Sequence, residues 1–217
     1  MAGTIGPSVS LTNLVFYLDP QNIKSYPGSG TAATNLIDNI GSTLSSITYS
    51  SSSFNNAGSG IITSNQSYNL SLTAGYTVFM FMNLTSRQGG YFNYISGSNS
   101  INLYSGGLTQ MRWETYGSGG DLYSNTTIPT GVWHSWAGTF SGTGSAGGSG
   151  TANIWYNGLL DNTATVAGAT ANNATFQVGY QGGSCNGLIG PVLFWNRELV
   201  ASEIRAVHVA LKGRYGI

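Results

Sequence analysis

The sequence predicts an all-β sandwich that closes with one short helix. Three observations lead there. Charged residues make up 6% of the 217-residue chain, against roughly 25% in an ordinary soluble domain, so the Lys, Glu and Arg that favour helices are scarce. Hydrophobic residues still reach 41% and aromatics 12%, which supplies the core that a disordered chain lacks. Short runs rich in β-branched and aromatic residues alternate with clusters of Gly, Ser and Asn, and Gly alone occurs 32 times. That rhythm belongs to strands and turns. The length fits one sandwich domain spanning residues 1–217.

Taken in order, the first strand is Leu14–Asp19, followed by a loop marked by Pro27-Gly-Ser-Gly30. Tyr76–Leu84 is the longest strand. Val78, Met80 and Met82 point one way while Phe79 and Phe81 point the other, so both faces are apolar and the strand is central and covered on both sides. Short strands follow at Tyr91–Ile95, Ile101–Tyr104, Thr109–Thr115 and Asp121–Ser124, with another long one at Val132–Phe140. Residues Ser141–Gly150 have the composition of a flexible linker. They lie between two strong strand signals, which makes them a long hairpin loop and not a domain boundary. The strand Ala152–Tyr156 ends at Asn157-Gly158, whose tolerance of positive φ suits a tight hairpin returning at Leu159. Phe176–Gly179 and Leu188–Trp195 complete the β part. From Ala201 to Leu211, Ile204, Val207, His208 and Leu211 form one helical stripe. Glu203 sits where the acidic half of a capping box belongs, but Val200 at the N-cap carries no acceptor, so the start is frayed and held by packing. Gly213 is the expected stop.

Charge and cysteine content exclude several functions. Seven Lys and Arg balance seven Asp and Glu, for zero net charge, and seven scattered cations form no phosphate-neutralising stripe, so nucleic acid is not an expected partner. No apolar run approaches the ~20 residues that span a bilayer, and residues 1–7 have no basic start before an apolar stretch, so neither membrane insertion nor a secretion signal is expected. Cys185 is the one cysteine, which excludes an internal disulfide. Its setting in Gly182–Gly187 reads as a turn with a small, unreactive residue.

Several stretches carry a resemblance. Leu14–Asp19 with Asn22, then Lys24–Gly30 and Asn35–Gly41, form an opening. Trp133-His134 followed by Gly138-Thr-Phe140, the Ile154–Gly158 hairpin, and Gly187–Leu199 with Glu203-Ile204 and Lys212–Gly216 follow in order. Together they resemble the laminin G-like branch of the concanavalin A-like lectin/glucanase superfamily, in the form found in bacteriophage structural proteins. The resemblance implies a two-sheet antiparallel jelly roll with a curved sheet whose concave face takes the ligand. Core candidates on that reading are Val78, Met80, Met82, Trp133, Ile154, Ile189 and Leu193.

Catalytic chemistry is not expected. Retaining glycosidases flank the scissile bond with two carboxyl groups about 5 Å apart. Here Glu114 stands alone on its strand, Glu198 and Glu203 flank the helix start, and no Glu-x-Asp-x-x-Glu arrangement occurs. A lyase would use a Tyr/His pair near a cation, but His134 lies on a core strand and His208 on the helix stripe. No cofactor or metal is expected either: calcium takes six to eight oxygens, the aspartates are dispersed, and Gly190-Pro191 stands where calcium-binding relatives carry an acidic residue. The candidate ligand-binding residues are Tyr91, Tyr94, Tyr104, Arg112 and Glu114, flat aromatics and planar polar groups from neighbouring strands. They support two readings, a cross-strand ion pair among ordinary sandwich aromatics or a shallow sugar groove. The expected function is a non-enzymatic bacteriophage virion accessory protein, a capsid decoration or a tail-mounted adhesion module. Its expected partners are other virion proteins, further copies of itself and host surface polysaccharide, and its expected location is the virion. The alternative is a free carbohydrate-binding lectin or a degenerate glucanase or polysaccharide lyase.

Overall fold

The computed structural model describes residues 8–70, 75–87, 89–96, 99–105, 108–116, 120–142, 148–169, 173–179 and 185–217. Among them run fourteen strands: β1 (Leu14–Leu18), β2 (Ala32–Thr34), β3 (Gly41–Ser50), β4 (Ser53–Ser64), β5 (Tyr76–Ser86), β6 (Gly90–Ser96), β7 (Asn99–Tyr104), β8 (Gln110–Tyr116), β9 (Gly120–Thr127), β10 (His134–Gly142), β11 (Ser149–Tyr156), β12 (Leu159–Ala167), β13 (Thr175–Val178) and β14 (Asn186–Trp195). Helix α1 (Ala201–Lys212) and a 3-10 turn (Gly213–Tyr215) follow. Every strand pairing is antiparallel.

The hydrogen-bonded order is β12-β11-β10-β5-β14-β4-β13-β6-β7-β8-β9, with β1 on β14 and the β2–β3 pair on β4. Two layers share β14, whose first residues pair with β4 and whose whole length pairs with β5. Aromatic contacts join the layers. Tyr76 of β5 stacks on Trp113 of β8 at 5.7 Å, Phe194 of β14 on Phe92 of β6 at 5.7 Å, and Phe16 of β1 on Phe176 of β13 at 4.5 Å. This is the all-β sandwich with one short C-terminal helix that the composition predicts.

The expected core is largely where the sequence places it. Val78, Met80, Met82, Ile154 and Ile189 are buried between the layers. Leu193 belongs to a second core on the other side of the same layer, with Phe79, Phe81, Ala137, Trp155 and Trp195 under Ile204, Val207 and Leu211 of α1. Trp133 is only half-buried and packs on Tyr215 at 4.3 Å. The central strand β5 is covered on both faces for this reason: one face meets the opposite layer and the other meets the helix.

Local details differ from expectation in three places. The β3–β4 hairpin carries no sequence signal, because Ser51 and Ser52 take the left-handed φ values of 51° and 57° that Asn-Gly normally supplies. A bulge between Ser45 and Ile47 also breaks the alternation along β3. Helix α1 does start at Ala201 with Val200 as N-cap, but its start is anchored. Glu203 accepts the Val200 N–H at 3.1 Å and both terminal nitrogens of Arg197 at 2.8 and 2.6 Å. The left-handed stop is Gly216 (φ 71°), not Gly213, which stays right-handed and leads into the 3-10 turn.

The Asn157-Gly158 hairpin forms as the sequence predicts, with φ of 49° and 79°. The β10–β11 pairing runs to Gly142 and Gly150, so the Gly-rich tract connects a hairpin; residues 143–147 lie outside the described set. Cys185 is buried in the main core, and burial pushes its thiol up to about 12; of the turn expected over Gly182–Gly187, residues 182–184 lie outside the described residues, while Asn186 and Gly187 open β14 instead. Among the described residues no helix is long and apolar enough to cross a membrane.

Candidate functional site

The layer β4-β13-β6-β7-β8-β9 separates its two faces by alternation, interrupted by bulges between Gly90 and Phe92 and between Gln110 and Arg112. Its inner row reads Ile62, Val178, Phe92, Leu103, Trp113, Leu122 across six strands, and all six are buried. One residue along, the outer row reads Thr63, Gln177, Asn93, Asn102, Glu114, Asp121, polar throughout. The next outer row places Tyr104, Arg112 and Tyr123 side by side on β7, β8 and β9. On the other layer, α1 covers the outer face around β5, β10 and β14. The polar face of β4-β13-β6-β7-β8-β9 is open at β8–β9, where Asp121 and Tyr123 are exposed, and closed at Asn93 and Asn102, which are buried.

Arg112 is the centre of this face. Its Nη1 donates to the Tyr104 hydroxyl at 2.6 Å, and its Nη2 lies 2.9 Å from Glu114 Oε1 and 2.6 Å from Asp121 Oδ2. The guanidinium carbon sits 5.1 Å from the Tyr104 ring centre and 5.6 Å from that of Tyr123, within cation–π range of both. Burial works against the charge, but the Asp121 hydrogen bond and the two carboxylates outweigh it and raise Arg112 above its ordinary value. Beneath the pair, Asn102 Nδ2 donates to Glu114 Oε2 at 2.8 Å. Exposure rises outward: Asn102 is fully buried, the Arg112 side chain is 18% exposed and that of Asp121 37%.

Strand β8 is held in place from the inside. The Trp113 ring lies directly against Gly138 of β10, where any Cβ would overlap the indole. Strand β9 is held from the side. Asp161 of β12 accepts the Asn125 N–H at 2.6 Å, the Thr126 N–H at 3.2 Å and the Thr126 hydroxyl, and Asn162 Nδ2 donates to the Tyr123 carbonyl at 2.8 Å.

Of the five residues the sequence singles out, the structure brings three together: Tyr104, Arg112 and Glu114. Tyr91 and Tyr94 are corrected to core residues. Tyr94 falls on the inner parity of β6, pairs with Ile101 and Phe176, and donates its hydroxyl to the Tyr68 carbonyl at 2.6 Å. Tyr91 is turned inward by a bulge between Gly90 and Phe92 and donates to Ser105 Oγ at 2.9 Å. Burial raises both phenols above their ordinary value. Sequence reasoning missed Asp121, Tyr123 and Asn102. It also left Glu114 alone on its strand, whereas Asp121 stands directly opposite it on β9. The strand alternation held the signal: Asn102, Glu114 and Asp121 share the parity of Tyr104, Arg112 and Tyr123.

The opening that the sequence highlights builds a second polar cluster. Arg214 forks onto Asp19 at 2.8 and 2.5 Å and donates from Nε to Gln21 at 3.0 Å, in an open groove of about 380 Å³ shared with Asn22 and Ile23. Three of its five N–H groups bind the final 3-10 turn to the segment that follows β1. The histidines are also internal. His134 is buried with Nδ1 3.0 Å from the Val132 carbonyl, and His208 Nδ1 lies 2.9 Å from Ser135 Oγ beneath the helix. Among the described residues no three His, Cys, Asp or Glu side chains gather to hold a metal ion.

Solved structures share the architecture at low sequence identity. Domain 4 of an extracellular GH43 arabinanase from Geobacillus stearothermophilus, in complex with arabinotriose, is 17% identical with a TM-score of 0.62, covering 90% of this chain and 98% of that one. A Trypanosoma rangeli sialidase is 14% identical with a TM-score of 0.67, covering 99% of this chain and 35% of that one, so this chain spans about a third of the sialidase. The binding domain of botulinum neurotoxin DC, in complex with rat synaptotagmin II, is 12% identical with a TM-score of 0.65, covering 92% of this chain and 52% of that one. No curated protein matches the sequence. The laminin G-like profile described as the concanavalin A-like lectin/glucanases superfamily matches residues 55–205, from β4 through the first turn of α1, and the chain belongs to that family.

Proposed function

We propose that this chain is a non-enzymatic carbohydrate-binding module that uses the outer face of β7–β9, and that it is carried on a bacteriophage virion as a capsid decoration or tail-mounted adhesion piece. The carrying observation is the Arg112 guanidinium set between two tyrosine rings and two carboxylates on an accessible sheet face. Flat rings stack on the C–H faces of sugars, and fixed planar polar groups read their hydroxyls. The arabinotriose complex of the arabinanase domain supports the reading by showing a sugar bound to a domain of this architecture.

The non-enzymatic part rests on what the carboxylates do. Glu114 and Asp121 face each other across one strand gap, but both bind the same Arg112 nitrogen. Neither is free to stand on its own side of a glycosidic bond, as acid and nucleophile must. The virion setting rests on the opening and closing motifs of the sequence. There, other virion proteins and further copies of the chain are the partners, and host surface polysaccharide is the target.

The test is calorimetric titration of the recombinant chain with a panel of host-type polysaccharides, with and without Tyr104→Ala and Tyr123→Ala. Binding in the millimolar range or tighter, weakened roughly tenfold by either change (about 1.4 kcal/mol), is expected. A chain that binds no glycan at millimolar concentration overturns the proposal. Steady release of reducing ends overturns its non-enzymatic part, and absence of the chain from purified particles by mass spectrometry overturns the virion setting.

A further inference from the structure

We infer that the β7–β9 face selects neutral glycans and rejects acidic ones, an inference that rests on the carbohydrate-binding reading above. A guanidinium recognises a carboxylate through two parallel N–H bonds along one of its edges. It has two such edges, Nε with Nη2 and Nη1 with Nη2, and both include Nη2. In this molecule Nη2 is engaged twice, by Glu114 Oε1 at 2.9 Å and Asp121 Oδ2 at 2.6 Å. Nη1 gives one hydrogen to Tyr104 at 2.6 Å, and Nε is buried. No fork is left for the carboxylate of a uronic or sialic acid.

Charge points the same way. The set holds one cation and two anions, Arg112 against Glu114 and Asp121, so the surface around the guanidinium is anionic. An acidic sugar would meet Asp121, the most exposed charge of the set, before it met the arginine. A neutral sugar meets acceptors that suit it: Asp121, the most exposed charge of the set, takes hydroxyl donors, and the Tyr104 and Tyr123 rings offer apolar faces. Asn102 Nδ2 fixes Glu114 from below, so Glu114 is held on Arg112 and does not swing away to release it.

Titration of the full chain with laminarin and linear arabinan as neutral probes, and with alginate and polysialic acid as acidic ones, tests this at about 20 mM and about 0.5 M NaCl. The neutral probes are expected to bind at both salt levels with less than about a twofold change. The acidic probes are expected to bind at least about tenfold more weakly at low salt. In the Glu114→Gln/Asp121→Asn variant the guanidinium loses both counter-charges, and acidic glycans are expected to gain at least about tenfold, a gain that about 0.5 M salt removes. Acidic glycans that bind the unaltered chain as tightly as neutral ones overturn the selectivity and leave the carbohydrate-binding reading standing. A folded double variant with no acidic gain likewise overturns the role given to Arg112. Failure of all four probes overturns the inference and the reading together. Should the double variant not fold, the comparison on the unaltered chain decides alone.

Discussion

At the scale of single residues, parity along a strand decides what a side chain does. Tyr91 and Tyr94 look like sugar platforms in the sequence, yet one bulge and one alternation send both into the core. Tyr104 keeps the outer parity and stays beside Arg112. The buried histidines show the same dependence on surroundings. Burial lowers His134 to about 4, outweighing the opposing effect of the Val132 carbonyl, and burial with nearby Lys212 lowers His208 to about 4. Between about pH 6.5 and pH 4 the unfolded chain therefore binds protons that the folded chain refuses. Stability rises with pH in that window, is constant above it, and its histidine-dependent part is fully lost below it. For fully buried His134 the loss at pH 4.5 relative to pH 7.5 is on the order of 2–3 kcal/mol. Urea unfolding at the two pH values measures it, and His134→Phe is expected to remove that share of the difference while leaving the share of His208. An unchanged pH difference in the variant would show that His134 is not the group being titrated.

At the scale of elements, the free edges of the two layers are closed by side chains instead of a backbone ladder. Edge strands β9 and β12 meet through Asp161, which takes the Asn125 and Thr126 N–H groups, and through Asn162, which donates to the Tyr123 carbonyl. An exposed strand edge invites pairing with another chain, and this closure removes two such edges. The same contacts set the height of β9, and with it the positions of Asp121 and Tyr123. Asp161→Ala strips acceptors from several donors at once and is expected to cost about 1–2 kcal/mol. Hydrogen exchange at the Asn125 and Thr126 amides is expected to speed up by roughly tenfold, ahead of the core strands. Exchange in step with the whole molecule would mean that β9 is held by its pairing with β8 alone.

At the scale of the whole molecule, the segment after β1 is tied to the final 3-10 turn. Asp19, just after β1, has its side chain 3% exposed and takes the fork of Arg214 from the final 3-10 turn. It also accepts the Tyr17 hydroxyl and the Gln21 N–H, which share its charge. Removing one partner of a buried ion pair leaves a charge without compensation, at a cost of about 3–5 kcal/mol. With two hydrogen bonds remaining on Asp19, Arg214→Ala is expected at the low end, about 3 kcal/mol, by urea or thermal unfolding. Asp19→Asn in the same background is expected to recover part of it. A loss below about 1 kcal/mol, the size of an exposed pair, would show that the clasp is only a surface contact.

The sequence by itself determined the class of this protein. A nearly uncharged chain with an apolar stripe only at Ala201–Leu211 must build its core from strands, and the Tyr76–Leu84 run, apolar on both faces, had to be a central strand. It also held Arg112 and Glu114 together, because residues two apart on a strand share a face whatever the strand pairs with. The tertiary structure alone decided the rest. Asp121 and Tyr123 reach Arg112 only through the β8–β9 register, and Gly138 matters only because Trp113 arrives from the opposite layer. The β3–β4 hairpin turns on two serines held in left-handed conformations by the pairing around them. Local pattern fixes which side chains share a face of one strand, whereas cross-strand register and bulges fix which faces meet, and those depend on contacts far apart in the chain.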